Sequence, residues 1–284
     1  MTDLAATSTD ALRAAALEFE RNGFVVIPNA LSAAQLVRLN AAFDRYVKDF
    51  PEEWAHFSES FINTADVLPR TADFDEVIEN PVILPLMRQL LGEKMAFEEL
   101  GLMIRNPTDN TGELKGWHRD IIRDYARRFE INAISVVYYL TDVTERDHCF
   151  SIIPGTHDRL VDMRPADVTP GMEADAHGPA GSAFVFHARC IHAGKLRVGS
   201  TQRRTMHLYY ERYGEPRTNQ WTQIPPRLYL KDDPALPPYL YAKAAVRATL
   251  DGVGRKPRDV PSDMTTAQML LHVQRRANQK AATP

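Results

Sequence analysis

Ile131-Asn132-Ala133-Ile134-Ser135-Val136-Val137-Tyr138-Tyr139-Leu140 is a run of β-branched and aromatic residues with no glycine or proline inside it. It suits a strand with one side on a core and the other facing something wetter. Similar short runs rich in Ile, Val, Phe and Tyr occupy residues 95–105, 149–153, 183–187 and 203–210, separated by Gly, Pro, Asp and Thr clusters. Successive strands without helices between them predict a β-sandwich or barrel.

Upstream of this stretch the chain reads as helical. Ser8, Thr9 and Asp10 can cap a helix that runs to Asn22, with Gly23 ending it. Phe24-Val25-Val26-Ile27 before Pro28 predicts a short strand. Ser32 and Gln35 form a capping box ahead of Leu36, Leu39 and Phe43. A third helix is expected with Asn80 as cap, Pro81 at its first position, Leu84, Met87, Leu90 and Leu91 as its apolar stripe, and Gly92 past its end. After Gly214 the chain is rich in proline, and two further helices are expected near residues 239–250 and 264–279. The fold class is therefore mainly β with flanking α-helices, as one domain over 1–284. Residues 1–94 form a helical support, about 95–212 the core, and 213–284 an extension.

The chain has 284 residues and a formal net charge of −3, so nothing global draws it to nucleic acid or to an anionic membrane. Two cysteines, Cys149 and Cys190, cannot make a disulfide framework or a four-cysteine zinc site. The first twenty residues lack the basic and apolar regions of a secretory signal, and no apolar run approaches the length of a membrane span. A cytoplasmic protein without nucleic-acid or membrane partners is expected, with homo-oligomerisation left open.

Four segments can carry chemistry. In Trp117-His118-Arg119-Asp120, the His and Asp lie two apart, so on an extended segment they point to one side and can converge on a metal. Alone, such a pair is more often a surface hydrogen bond. Phe184 to Gly194 delivers His187 and His192 at the end of an apolar strand. If His192 faces His118 and Asp120 across a barrel, two imidazoles and one carboxylate form the facial set usual for non-haem Fe(II). His187 is a rival ligand, better read as a core or supporting histidine. Arg203 and Arg204 open the 203–210 strand and must face opposite ways, so at most one can present a guanidinium to a carboxylate inside. The fourth segment runs from Leu140 to Pro154-Gly155-Thr156-His157 and links the others.

Taken in order, these motifs resemble the phytanoyl-CoA dioxygenase family of Fe(II)- and 2-oxoglutarate-dependent oxygenases. The shared order is His-x-Asp, Pro-Gly-Thr-His, a distal His followed by Gly, and an Arg about eleven residues later. Gly23 to Asn29 is similar to the family's opening segment, and the likeness covers roughly residues 18–212. It departs at Asp147-His148, where Asn-Gly is usual, and at Gly194, where a Ser or Thr often touches the cosubstrate carboxylate.

The resemblance implies a double-stranded β-helix (jelly-roll, cupin-like) core. It implies Fe(II) held by His118, Asp120 and His192, 2-oxoglutarate with its distal carboxylate on Arg203 (Arg204 in reserve), and O2 as oxidant. Asp120 disfavours a halogenase, in which a small residue frees that position. The reaction expected is oxidation, in the first place hydroxylation, of a C–H bond in a small secondary metabolite or amino-acid-like substrate. Arg105, Arg119, Arg123, Arg127 and Arg128 are candidates for an acidic group on it, and Trp117 either walls the pocket or packs in the core. Two readings from other classes remain: a cupin-like metal-dependent isomerase or hydrolase that ignores 2-oxoglutarate, and a non-catalytic binding protein.

Overall fold

The computed structural model describes residues 9–65, 67–109, 114–120, 131, 133–158, 160–214 and 223–242. In chain order these form α1 (Thr9–Asn22), β1 (Phe24–Ile27), α2 (Ala33–Asp49), β2 (Ala55–Ser58), β3 (Phe61–Thr64), the short α3 (Asp75–Ile78) and α4 (Leu84–Leu91). There follow β4 (Met95–Arg105), β5 (Leu114–His118), β6 (Ala133–Tyr139), β7 (Cys149–Ile152), β8 (Ala174–Ala176), β9 (Ala183–His187), β10 (His192–Lys195), β11 (Arg203–Arg212) and the single turn α5 (Pro226–Tyr229).

All strand pairs are antiparallel. A major sheet has the order β1-β9-β6-β11-β4-β3-β2, and a minor sheet has the order β5-β10-β7-β8. This is the expected jelly roll. Strand alternation sorts the side chains. From the major sheet, Leu100, Leu102, Ile104, Ile134, Val136, Tyr138, Val185, Met206, Leu208 and Tyr210 pack against Phe19 of α1, Leu39 and Phe43 of α2, and Leu86 and Met87 of α4. Residues of opposite parity, including Val137, Tyr139, Phe184 and Phe186, meet Cys149, Phe150 and Ile152 of the minor sheet. The β6 strand is thus buried on both faces rather than wet on one, because the side away from the helices is covered by the second sheet.

The caps at Asn22–Gly23 and Ser32 stand where the sequence puts them. The Ser32–Gln35 box is closed in both directions, and Gly23 has φ +80°. Two expectations shift. Residues 55–64 are not helical; β2 and β3 form a hairpin that widens the major sheet beyond β4. The third helix starts at Leu84, because Asn80 Oδ1 accepts from the Val82 and Ile83 amides and holds residues 80–83 as a turn. The expected helix at 264–279, and that near 239–250 beyond Ala242, lie outside the described residues. So do Arg123, Arg127 and Arg128. No helix among the described residues is long and apolar enough to cross a membrane.

Candidate metal centre

The minor sheet brings β5 beside β10, with His118 and His192 directly opposite and a register shift between His192 and Gly194. The two rings lie 4.3 Å apart between centroids. Each Nδ1 donates to the carbonyl two residues back, His118 to Gly116 at 2.6 Å and His192 to Cys190 at 3.0 Å. That bond fixes the tautomer, so both Nε2 lone pairs point away from the backbone. Past the end of β5, the Asp120 amide donates to Ala188 O at 3.0 Å and turns the carboxylate inward. Asp120 Oδ1 stands 3.3 Å from His118 Nε2 and 3.5 Å from His192 Nε2. Asp120 Oδ2 accepts a 2.6 Å hydrogen bond from the Tyr209 hydroxyl.

These three donor atoms lie within 4.8 Å of one another. An octahedral first-row divalent ion with bonds of about 2.1 Å sets neighbouring ligands about 3 Å apart, so the set fits such an ion. Burial pushes the Asp120 carboxyl up, but His192, His118 and Tyr209 outweigh it and hold the group below its ordinary value. His118 is raised by its hydrogen bond to Asp120, whereas burial lowers His192 despite that carboxylate.

His187 takes no part. Its position on β9 faces the helices, its ring stacks on Phe19 and lies near His157, and its Nδ1 accepts from the Arg189 amide. Burial, aided by His157, brings it down to about 3. Arg119 is likewise spent, donating to the carbonyls of Thr156, Met163 and Arg189, so it is not free for an acidic substrate. Trp117, partly buried, is on the face of β5 opposite His118.

β11 carries a row of pocket-facing residues: Arg203, Thr205, His207 and Tyr209. Arg203 is 2% exposed, stands over Phe150 with Cζ 4.6 Å from the ring centre, and donates to His148 O at 3.2 Å. Its Nε has no partner, and no described carboxylate pairs with it. Arg204 turns to the helices and pairs with Asp44 of α2 at 2.6 Å. His207, between the two ends of the row, shares a 3.0 Å hydrogen bond with Thr205 Oγ1.

The Asp147-His148 departure bolts this end together. Asp147 accepts from Thr144 and from Thr201, while His148 joins Asn106 O, the Arg197 amide and Ser200 Oγ. The Pro-Gly-Thr-His segment is structural too. Thr156 Oγ1 accepts from the Ile191 amide beside the distal histidine, and the Gly155 amide donates to Asn22 O.

Cys149, Asp175 and His177 form a second grouping of potential ligands. Asp175 is already neutralised by Lys195 at 2.9 Å and Arg197 at 2.7 Å, which makes this an ion-pair network and disfavours a cation there.

Tyr209 is the functional candidate the sequence reading missed. Counting by twos from Arg203 along one strand face reaches it, so alternation was the available signal.

The phytanoyl-CoA dioxygenase (PhyH) family model matches residues 19–206. No curated protein matches by sequence. Among solved structures, the epimerase SnoN in complex with Fe3+, alpha ketoglutarate and nogalamycin RO superposes with TM-score 0.62 at 19% identity, covering 80% of this chain and 92% of that one. AviO1 from Streptomyces viridochromogenes Tue57 gives 0.59 at 19% identity, over 72% and 96% of the two chains. HygX from Streptomyces hygroscopicus, with nickel, 2-oxoglutarate and hygromycin B bound, gives 0.56 at 15% identity, over 70% and 86%.

Proposed function

The chain belongs to the phytanoyl-CoA dioxygenase family, a 2-oxoglutarate-dependent non-haem iron family, and from that premise we propose that it hydroxylates a C–H bond of a small molecule, releasing succinate and CO2. The observation that carries this reading is the convergence of His118 Nε2, His192 Nε2 and Asp120 Oδ1 in a pocket that also contains a buried guanidinium with no acid partner. One domain carries the whole function, with residues 1–94 as its support.

When bound, iron(II) and 2-oxoglutarate supply, with O2, the oxidising power that breaks an unactivated C–H bond. The chain supplies geometry. His118 and His192 offer neutral imidazoles already oriented by Gly116 and Cys190. Asp120 would offset one of the ion's positive charges, and a set of three protein ligands would leave coordination positions for cosubstrate and oxygen. Tyr209 holds Oδ2, so Oδ1 is the oxygen presented to the metal. Arg203 receives the distal carboxylate, the bidentate partner its planar fork suits. Phe184, Phe186 and Val137, all buried, keep water from the reacting centre. The substrate is proposed to be a secondary metabolite or amino-acid-like molecule; the structurally similar epimerase SnoN and carbocyclase SnoK are from nogalamycin biosynthesis.

The test is anaerobic. Adding Fe(II) and then 2-oxoglutarate should produce a weak visible charge-transfer band that requires both and vanishes in Arg203→Ala, and His118→Ala should abolish Fe(II)-dependent succinate release. With a substrate in hand, a mass gain of one oxygen supports hydroxylation, whereas an unchanged mass points to epimerisation. Metal binding without the band favours the isomerase or hydrolase reading.

A further inference from the structure

Arg105 is the last residue of β4 and Arg203 the first of β11, and the two are direct partners in the register. Their side chains therefore leave the sheet on one face, toward the minor sheet. Arg105 Cζ lies 3.7 Å from the centre of the Phe61 ring. Its Nη2 occupies the space above Gly194; a Cβ built on that glycine would lie 3.2 Å away. Arg203 stands over Phe150, the residue paired with Gly194 across β7 and β10. Two guanidinia thus rest on adjacent points of the same wall.

Neither has a carboxylate partner among the described residues. Arg105 is lowered to about 10, by burial first and by the charge of Arg203 second. Paired like charges in a desolvated pocket are costly unless an anion enters between them. Arg203 opens β11 and donates to His148 O, whereas Tyr209, which holds Asp120, stands six residues further along the same strand face, so the pair belongs to the end of the pocket away from that carboxylate.

We infer that Arg105 is a second binding residue for the distal carboxylate of 2-oxoglutarate, closing a two-arginine clamp with Arg203 for which Gly194 leaves the room. The inference rests on the proposed function and adds a residue to it. It also reassigns Arg105, expected from the sequence as a contact for an acidic substrate near the iron, to the far end of the cosubstrate.

The test is calorimetric, on Mn(II)-loaded protein without oxygen, so it needs no turnover. The probes are 2-oxoglutarate and 2-oxovalerate, a 2-oxo acid of the same length without the distal carboxylate. Arg105→Met should weaken 2-oxoglutarate binding on the order of 10-fold to 100-fold, the loss of a hydrogen bond between charged groups, and leave 2-oxovalerate and Mn(II) affinities unchanged. Arg105→Lys, which keeps the charge and loses the fork, should fall between and guards against misfolding of the methionine variant. Unchanged 2-oxoglutarate binding in both variants would overturn the clamp, as would equal weakening of the two acids. If the unaltered chain binds Mn(II) but no 2-oxoglutarate, the proposed function itself fails; if only the Arg105 variants are indifferent, the clamp alone does.

Discussion

Tyr209 touches no expected substrate atom, yet its hydroxyl decides which oxygen of Asp120 faces the metal position. Tyr209→Phe should lower Mn(II) or Fe(II) affinity about 10-fold to 100-fold, the usual effect of losing a partner that orients a ligand, while the melting temperature of the metal-free protein changes little. Titration of metal into the two proteins checks it. His187 makes a pH prediction. Folded, it titrates at about 3; unfolded, near 6.5. As pH falls through 6.5 the unfolded chain binds the proton and the folded chain does not, so stability drops from there down to about 3. The loss is at most about 1.4 kcal/mol per pH unit. His187→Asn, whose side-chain oxygen can still accept from the Arg189 amide, should flatten the dependence of urea midpoints between pH 7 and 5. The metal-ligand candidates and Arg203 were legible because residue type and spacing announce them. Tyr209 was not, and Arg105 was legible only as a cation for some acidic group, because each takes its role from a partner on another strand, Asp120 and Arg203 respectively.

Among the elements, the turn between α1 and β1 tolerates little change. Gly23 has φ +80°, and a Cβ there would overlap Cys190 Sγ and lie 2.5 Å from His157 Nδ1. Both neighbours are tied down, Cys190 inside the distal-histidine segment and His157 to Glu20 O. Gly23→Ala should therefore cost roughly 3 kcal/mol or more, combining backbone strain with overpacking, and a urea midpoint measures it. This glycine was readable as a helix stop, but its second duty as a spacer for the histidine and cysteine needed the fold. The long strands β4, β6, β9 and β11 were legible from their apolar runs. Four-residue β1 and β7 were legible in the same way, whereas β2, β3, β8 and β10 were not, since they carry too little apolar pattern and are ordered by the sheets they join.

For the whole molecule, the binding site lies between two sheets, so occupants that require the folded geometry must stabilise it. Mn(II) at a hundred times its dissociation constant should add about 2.7 kcal/mol, and 2-oxoglutarate at the same excess about as much again. Thermal scans should show the rise in two steps, the second missing in Arg203→Met and both missing in His118→Ala. The sheet order itself was beyond the sequence, because pairing such as β9 with β1 joins segments far apart in the chain. What the sequence did carry is parity, and β11 depends on it throughout. Arg203, Thr205, His207 and Tyr209 face the pocket, while Arg204, Met206, Leu208 and Tyr210 face the helices. The strand behaves as a reading frame. A one-residue slip of β11 against β4 and β6 would exchange the two sets at once, and the arginine doublet would disguise the error by offering a guanidinium either way. The turn ahead of β11 can therefore change length only where the loop itself absorbs the difference and pairing with β4 and β6 holds the frame.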